Sequence, residues 1–238
     1  MDNVKKLAEI VEKSNYIVFF GGAGTSTDSG IKDFRGKNGL YKTLYKGYRP
    51  EEILSIDFFI DKRQIFSEYV KEKMSIENIK PNKGHYALVE LEKMGKLKAV
   101  ITQNIDNLHQ EAGSKKVLEL HGTLKEWYCL NCGIRDDKEF KCKCGGVVRP
   151  KVTLYGEMLD EEVTYKAIEE IKRADTLIIS GTSLTVYPAA NYITYFKGKN
   201  LIIINEDSTG YDSRATLSIK GNFSEILDKL IKEIKRTL

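Results

Sequence analysis

The residues of this chain best suited to chemistry lie close together. Cys129, Cys132, Cys142 and Cys144 follow shortly after a His-Gly pair in Glu119-Leu120-His121-Gly122-Thr123. Two close cysteine pairs around a short Lys/Asp-rich loop have the spacing of a structural Zn²⁺ site, since four thiolates satisfy a tetrahedral metal. Such a metal would brace a small module beside His121. The imidazole titrates near neutrality, so at the wall of a cleft it can take or give a proton.

A second group of polar and glycine residues follows apolar runs. The first run ends in Gly21-Gly22-Ala23-Gly24-Thr25-Ser26-Thr27-Asp28-Ser29-Gly30. Gly22-x-Gly24 stands where a dinucleotide pyrophosphate would approach the backbone and a Cβ would hold it away. The third glycine of the usual fingerprint would fall at Thr27, which disfavours a standard hydride-transfer enzyme; a tight turn without ligand is the competing reading. Phe34 could shield a reactive sugar carbon, and Arg35 could pair with a phosphate or orient a loop; in isolation each also fits a core or surface place. Gln103, Asn104 and Asp106 follow another run, where ligand sites form in α/β sheets and where helix caps also occur. Further runs end at His121, at Gly181-Thr182-Ser183 and at Asn205-Glu206.

The elements that must position these residues alternate. Short β-branched or aromatic runs predict strands at Tyr16–Phe20, Ala99–Thr102, Val117–Leu120, Thr176–Ser180 and Leu201–Asn205. Helical periodicity marks Val4–Glu12, Lys83–Met94, Glu161–Arg173 and Phe223–Ile234. The fold class is therefore α/β, a Rossmann-like parallel sheet covered by helices on both faces. Residues 36–78, rich in Tyr, Phe, Lys and Glu with helical patches, are too long for a simple crossover and form a helical insertion. Residues 125–148 form a zinc-binding insertion, and the two are expected to make a smaller domain above the strand ends. The larger domain then comprises 1–35, 79–124 and 149–238.

Composition narrows the class. With 238 residues, 41% hydrophobic and 30% charged, the chain can bury one good core and a smaller appended one. The metal cluster uses every cysteine, leaving none for disulfides, which fits a reducing compartment and a cytoplasmic location. The apolar run Tyr16–Gly24 is too short to span a bilayer and too closely preceded by charges for a signal peptide. The net charge of +4 is mild, and much of it sits on residues 227–236, read as the solvated face of a packed helix. A zinc-ribbon nucleic-acid binder is disfavoured, because Lys138, Lys141 and Lys143 are offset by Asp136, Asp137 and Glu139.

Over nearly its whole length the chain resembles the sirtuin family of NAD⁺-dependent protein-lysine deacylases. The resemblance is carried by Gly22-Ala23-Gly24-x-Ser26-x-x-Ser29-Gly30-Ile31-x-Asp33-Phe34-Arg35-Gly36 and Thr102-Gln103-Asn104-Ile105-Asp106-x-Leu108-His109-x-x-Ala112-Gly113. It continues through His121-Gly122, the four cysteines, Arg149-Pro150, Tyr155-Gly156-Glu157, Gly181-Thr182-Ser183-Leu184-x-Val186-x-Pro188-Ala189 and Asn205. Lys32 stands where the family usually has Pro, Asp28 at another frequently Pro-bearing position, and the second metal pair is Cys-x-Cys.

The resemblance implies deacetylation of acetyl-lysine on proteins with consumption of NAD⁺, giving nicotinamide, O-acetyl-ADP-ribose and free lysine. His121 matches the catalytic base, and Asn104 a residue holding the ribose. Asp106 resembles the nicotinamide carboxamide contact, Ile105 and Phe34 walls of its pocket, and Gln103 a ribose contact. Ala23, Thr27, Arg35, Thr182, Ser183 and Asn205, with Asn222 or Phe223, resemble positions facing the ADP portion. Val186 and Leu154-Tyr155-Gly156-Glu157 resemble two edges that hold an acyl-lysine peptide as an added strand. Cys129, Cys132, Cys142 and Cys144 would bind structural Zn²⁺. The pair of Tyr and Arg that recognises succinyl-lysine in some members is replaced by Ser67 and Val70, so neutral acyl groups are expected. A mono-ADP-ribosyltransferase using the same NAD⁺ site is the alternative; a non-catalytic NAD⁺ sensor would be expected to lack His121 or Asn104. A monomer without membrane or nucleic-acid partners is expected.

Overall fold

The structure is a computed structural model and describes residues 3–36, 39–134 and 142–237. Six parallel strands run in the order β3-β2-β1-β6-β7-β8: β1 (Ile17–Gly21), β2 (Leu97–Thr102), β3 (Val117–Glu119), β6 (Thr176–Ser180), β7 (Asn200–Asn205) and β8 (Leu217–Lys220). Between β3 and β6 the chain makes a separate antiparallel pair, β4 (Gly122–Cys129) and β5 (Val148–Val152). The helices are α1 (Asn3–Lys13), α2 (Pro50–Ile53), α3 (Ile56–Asp61), α4 (Arg63–Lys73), α5 (Lys83–Lys93), α6 (Leu108–Ala112), α7 (Glu161–Arg173) and α8 (Phe223–Thr237). Among the described residues no helix is long and apolar enough to cross a membrane.

Alternation along the strands explains the layers. Ile17 and Phe19 of β1 join Ile178, Ile202 and Ile204 in a core against α1, α5 and α8. Val18 and Phe20 point the other way, with Ile101, Leu177, Ile179 and Ile203, into a core against α7. A strand buried on both faces needs apolar residues at every position, hence the near-continuous Ile/Leu/Val/Phe runs. In α8 the apolar stripe Phe223, Ile226, Leu227, Leu230, Ile231 and Ile234 is buried, while its Lys and Arg pair along the outer face, Lys232 with Asp228 and Arg236 with Glu233. The α7 start is fixed by Asp160, whose carboxylate accepts the Val163 N–H at 2.9 Å.

The strands depart modestly from the predicted ones. β1 begins one residue later and takes in Gly21, and β2 begins at Leu97. β8 is an edge strand with one buried residue, Ile219, too weak a pattern to predict. The insertion 36–78 carries α2, α3 and α4, and its Ile53, Phe58, Phe59, Phe66, Tyr69 and Met74 share one core with Trp127, Cys129, Val148 and Val152 of the ribbon. Strand pairing in that ribbon runs from Gly122 to Val152, past the predicted limits 125–148. Lys138, Lys141, Asp136, Asp137 and Glu139 lie outside the described residues.

Candidate active site

The candidates for cofactor contact follow the carboxyl ends of the parallel strands. After β1, the Gly24 N–H donates to the Gly181 carbonyl at 2.8 Å. A Cβ on Gly24 would come within 2.7 Å of Gly181 Cα, and one on Gly22 within 2.8 Å of Thr182 Cβ. The glycines are thus required first by the contact between two loops, and only then by room for a ligand. Ala23, Gly24, Gly181, Thr182 and Ser183 line one side of a cavity of about 250 Å³.

Gln103, Asn104, Ile105 and His121 form the next wall. Asn104 is buried and donates through Nδ2 to Thr25 Oγ1 and Ser26 Oγ, both at 3.0 Å. Asp106 lies beneath, at 6% exposure. Its Oδ2 accepts from Ser26 Oγ at 2.6 Å and its Oδ1 from the Leu108 N–H at 2.9 Å. Burial pushes the Asp106 carboxyl above its usual range, against these hydrogen bonds. Asp106 does not line the cavity in this structure; it ties the loop after β2 to the loop after β1.

His121 occupies the joint between the parallel sheet and the ribbon. Its Nδ1 lies 2.8 Å from the Gln103 carbonyl oxygen, and its own carbonyl accepts the Thr153 N–H at 2.9 Å. A carbonyl only accepts, so in the neutral imidazole Nδ1 carries the proton and Nε2 is left as the acceptor. Burial lowers the His121 pKa, opposed by the bond to Gln103. Gly122 follows with φ +75°, and a Cβ there would collide with the Lys151 carbonyl, which explains the His-Gly pair.

The far side of the cavity is made by Leu154, Tyr155, Gly156 and Glu157 on one lip and Val186, Tyr187 and Pro188 on the other. Glu157 is occupied internally: it accepts from Arg149 Nη1 at 2.6 Å, Arg149 Nη2 at 2.9 Å and the Leu154 N–H at 2.8 Å. Burial pushes its carboxyl up, and the bonds from Arg149 and Leu154 outweigh this and leave it below the usual range. Arg35 lines the cavity with its guanidinium on Tyr155 Oη at 3.3 Å and 5.0 Å from the Tyr41 ring centre. Phe34 packs on Tyr41.

Several ADP-side candidates lie elsewhere than at the cavity wall. Thr27 is exposed and bonds back to the Gly24 carbonyl. Asn205 fixes the loop after β6, accepting the Thr182 N–H at 3.3 Å and donating to the Thr182 carbonyl at 2.8 Å. Asn222 caps α8 and donates to Asp28 at 3.0 Å. The Phe223 ring is buried against Phe19 and His85, so its side chain faces the core. Conversely, Tyr41, Leu54 and Met74 from the insertion, with Val152, line the cavity. Single apolar residues at the ends of short elements carry no sequence signal for this. Ser26, buried between Asn104 and Asp106, was legible only as part of the loop motif.

The four cysteine sulfurs all lie within 4.8 Å of one another. Cys129 Sγ is 3.5 Å from Cys144 Sγ, and Cys132 Sγ is 3.6 Å from Cys142 Sγ. A tetrahedron with ~2.3 Å zinc–sulfur bonds has edges of roughly 3.8 Å, so the cluster fits Zn²⁺ with no open coordination position.

Fold and site define a nucleotide-binding α/β protein with an appended cysteine ribbon. The sequence model of the Sir2 family matches residues 22–188, and the chain belongs to that family. It is 63% identical over 236 residues to an NAD-dependent protein deacetylase of Fusobacterium nucleatum, covering 99% of this chain and 94% of the relative. A protein of the same name from Clostridium perfringens is 52% identical over 241 residues, covering 97% and 99%. Among solved structures, a Sir2 complex with p53 peptide and NAD⁺ is 36% identical with TM-score 0.87, covering 98% of both chains. A Sir2 enzyme solved for its mechanism and regulation is 42% identical with TM-score 0.90, covering 100% and 99%.

Proposed function

We infer that this protein is an NAD⁺-dependent protein-lysine deacetylase, releasing nicotinamide, O-acetyl-ADP-ribose and free lysine. The observation that carries the reading is His121, held by Gln103 with Nε2 as acceptor, at a cavity wall between the loop of Ala23 and Gly24 and the two lips. NAD⁺, when bound, supplies an electrophilic ribose carbon and a hydroxyl that receives the acyl group. The chain's own residues do the rest. His121 Nε2 takes the proton of that hydroxyl as general base. Asn104, held on Thr25 and Ser26, presents its amide oxygen to the ribose side. Phe34 and Ile105 exclude water from the nicotinamide end, and Thr182 and Ser183 face the phosphates and adenosine.

The lips 154–157 and Val186 would receive the acyl-lysine peptide as an added strand, with backbone bonds giving affinity and little sequence demand. The acyl group would face Leu54, Met74, Phe34, Ile105 and Val152. Among the described cavity residues Arg35 is the one cation, and Tyr155 engages it. This supports a preference for neutral acyl groups. Zn²⁺ on the cysteines would be structural. Incubation with acetyl-lysine peptide and NAD⁺ followed by mass spectrometry of all products tests the assignment: deacetylated peptide with O-acetyl-ADP-ribose is expected, and a mass gain on the peptide would show ADP-ribosyl transfer instead.

A further inference from the structure

The loop after β1 is held from outside the cavity as well as from within. Asn82 precedes α5 and caps it, its Oδ1 accepting the Gly84 N–H at 3.0 Å. The Asn82 N–H in turn donates to His85 Nδ1 at 3.2 Å, closing a reciprocal capping box. The amide nitrogen of Asn82 is left over from this cap and is used elsewhere. It donates to the Thr25 carbonyl at 2.8 Å and to Ser29 Oγ at 3.1 Å. Because Gly84 N–H can only donate and the Thr25 carbonyl can only accept, these partners fix which way round the amide stands. Every hydrogen-bonding atom of the side chain is therefore committed, one to the helix and one to the loop.

The contact leads inward. Thr25 is fully buried, and its hydroxyl donates to the Gly22 carbonyl at 2.8 Å while accepting from Asn104 Nδ2 at 3.0 Å. Asn82 thus bears on Asn104 through a single residue. Its anchor is rigid: a Cβ on Gly84 would collide with the Phe223 ring, so the start of α5 sits directly on the start of α8. Asn222 repeats the arrangement there, capping α8 with Oδ1 and holding Asp28 with Nδ2.

We propose that Asn82 is a positioning residue for NAD⁺ binding, clamping the loop of Ala23 and Gly24 against α5 so that the loop and Asn104 are set for the dinucleotide. The proposal rests on reading the cavity as the NAD⁺ site. Capping and clamping can be separated by substitution. Asn82→Asp keeps a good cap but has no proton for the Thr25 carbonyl, although the Ser29 hydroxyl can still donate to it. Asn82→Ser also caps, is uncharged, and is too short to reach the loop. Calorimetry on the zinc-loaded protein would measure the affinity for NAD⁺ and, separately, for acetyl-lysine peptide.

Both variants are expected to bind NAD⁺ about tenfold more weakly, Asn82→Ser through two lost hydrogen bonds and Asn82→Asp through the loss of the bond to the Thr25 carbonyl, which its carboxylate repels, with peptide affinity and melting temperature close to native. Ser29→Ala, which removes one acceptor, should fall between and serves if Asn82→Asp does not fold. Native-like NAD⁺ affinity in Asn82→Ser overturns the clamp, including the case where Asn82→Asp alone is weak, since that is charge repulsion. Equal weakening of peptide and NAD⁺ also overturns it, as a general loosening. Failure of the native protein to bind NAD⁺ would instead refute the site assignment.

Discussion

Replacing Glu157 by Ala should destabilise the fold as well as loosen a lip of the cavity. The Arg149 guanidinium is 3% exposed, and its partner carboxylate is 27% exposed. The pair makes two hydrogen bonds, and a third comes to Glu157 from the Leu154 N–H. With Glu157 gone, Arg149 retains the Val152 carbonyl at 2.7 Å and the Phe59 ring at 5.2 Å, neither of which neutralises a cation. Breaking a buried pair from one side costs about 3–5 kcal/mol. Water reaches the Glu157 side, so the lower end, about 3 kcal/mol, is expected. Urea unfolding of the zinc-loaded protein measures it. The peptide KM should rise with the loosened lip, while NAD⁺ affinity stays. Arg149→Met combined with Glu157→Gln should cost less than Glu157→Ala alone, because no uncompensated charge remains. The folded carboxyl titrates below its ordinary value, so the pair's contribution is complete above about pH 4.3 and is lost as pH falls through the folded value. A cost under about 1 kcal/mol, or a double variant worse than the single one, would refute the reasoning.

His121→Ala should reduce deacetylation by about 10²–10⁴-fold with NAD⁺ affinity kept; near-native turnover would remove it as the base. Because burial lowers its pKa, the imidazole stays neutral to below about pH 6.5, and the acid limb of kcat/KM should lie below that value; a limb above pH 7 would contradict this. Cys129→Ala or strong chelation should remove about one zinc per chain and lower the melting temperature together with activity, and active protein without zinc by metal analysis would overturn the assignment. Acetyl-lysine should exceed succinyl-lysine by at least about tenfold in kcat/KM, roughly 1.4 kcal/mol, on one peptide compared side by side. Val70 is buried and Met74 lines the cavity, leaving no fixed cation of α4 at its wall; equal succinyl turnover would show the acyl group taking another path.

The sheet was legible because its strands are buried on both faces, and such strands advertise themselves in runs like Thr176–Ser180. β8 was not, since an edge strand with Ile219 alone buried leaves little periodic trace. In the site, motif residues follow the ends of parallel strands, but spacing does not tell which way a side chain turns. Asp106 turns inward to Ser26, Asn205 to the backbone of Thr182, and the Phe223 ring to the core, each because a partner distant in sequence waits there. The apolar wall of Tyr41, Leu54 and Met74 was hidden for the opposite reason: these residues look like ordinary core until the insertion folds back beside the strand ends. Asn82 carries no motif signal, because its contacts to the loop after β1 run to Thr25 and Ser29, more than fifty residues away in sequence.

The chain passes from the parallel sheet to the antiparallel ribbon through His121, with the glycine at 122 making the turn. The imidazole is anchored to the sheet by the Gln103 carbonyl, while its backbone carbonyl begins the ribbon's bond to Thr153. A residue at a fulcrum is displaced least when either arm rotates. Opening or closing of the ribbon and its packed helices about this joint would therefore carry Leu154–Glu157 and Met74 through an arc while the proton acceptor keeps its place. With His121 as the proposed base, such a joint would separate two demands that compete in most clefts, a mouth wide enough for a peptide and a base held in place.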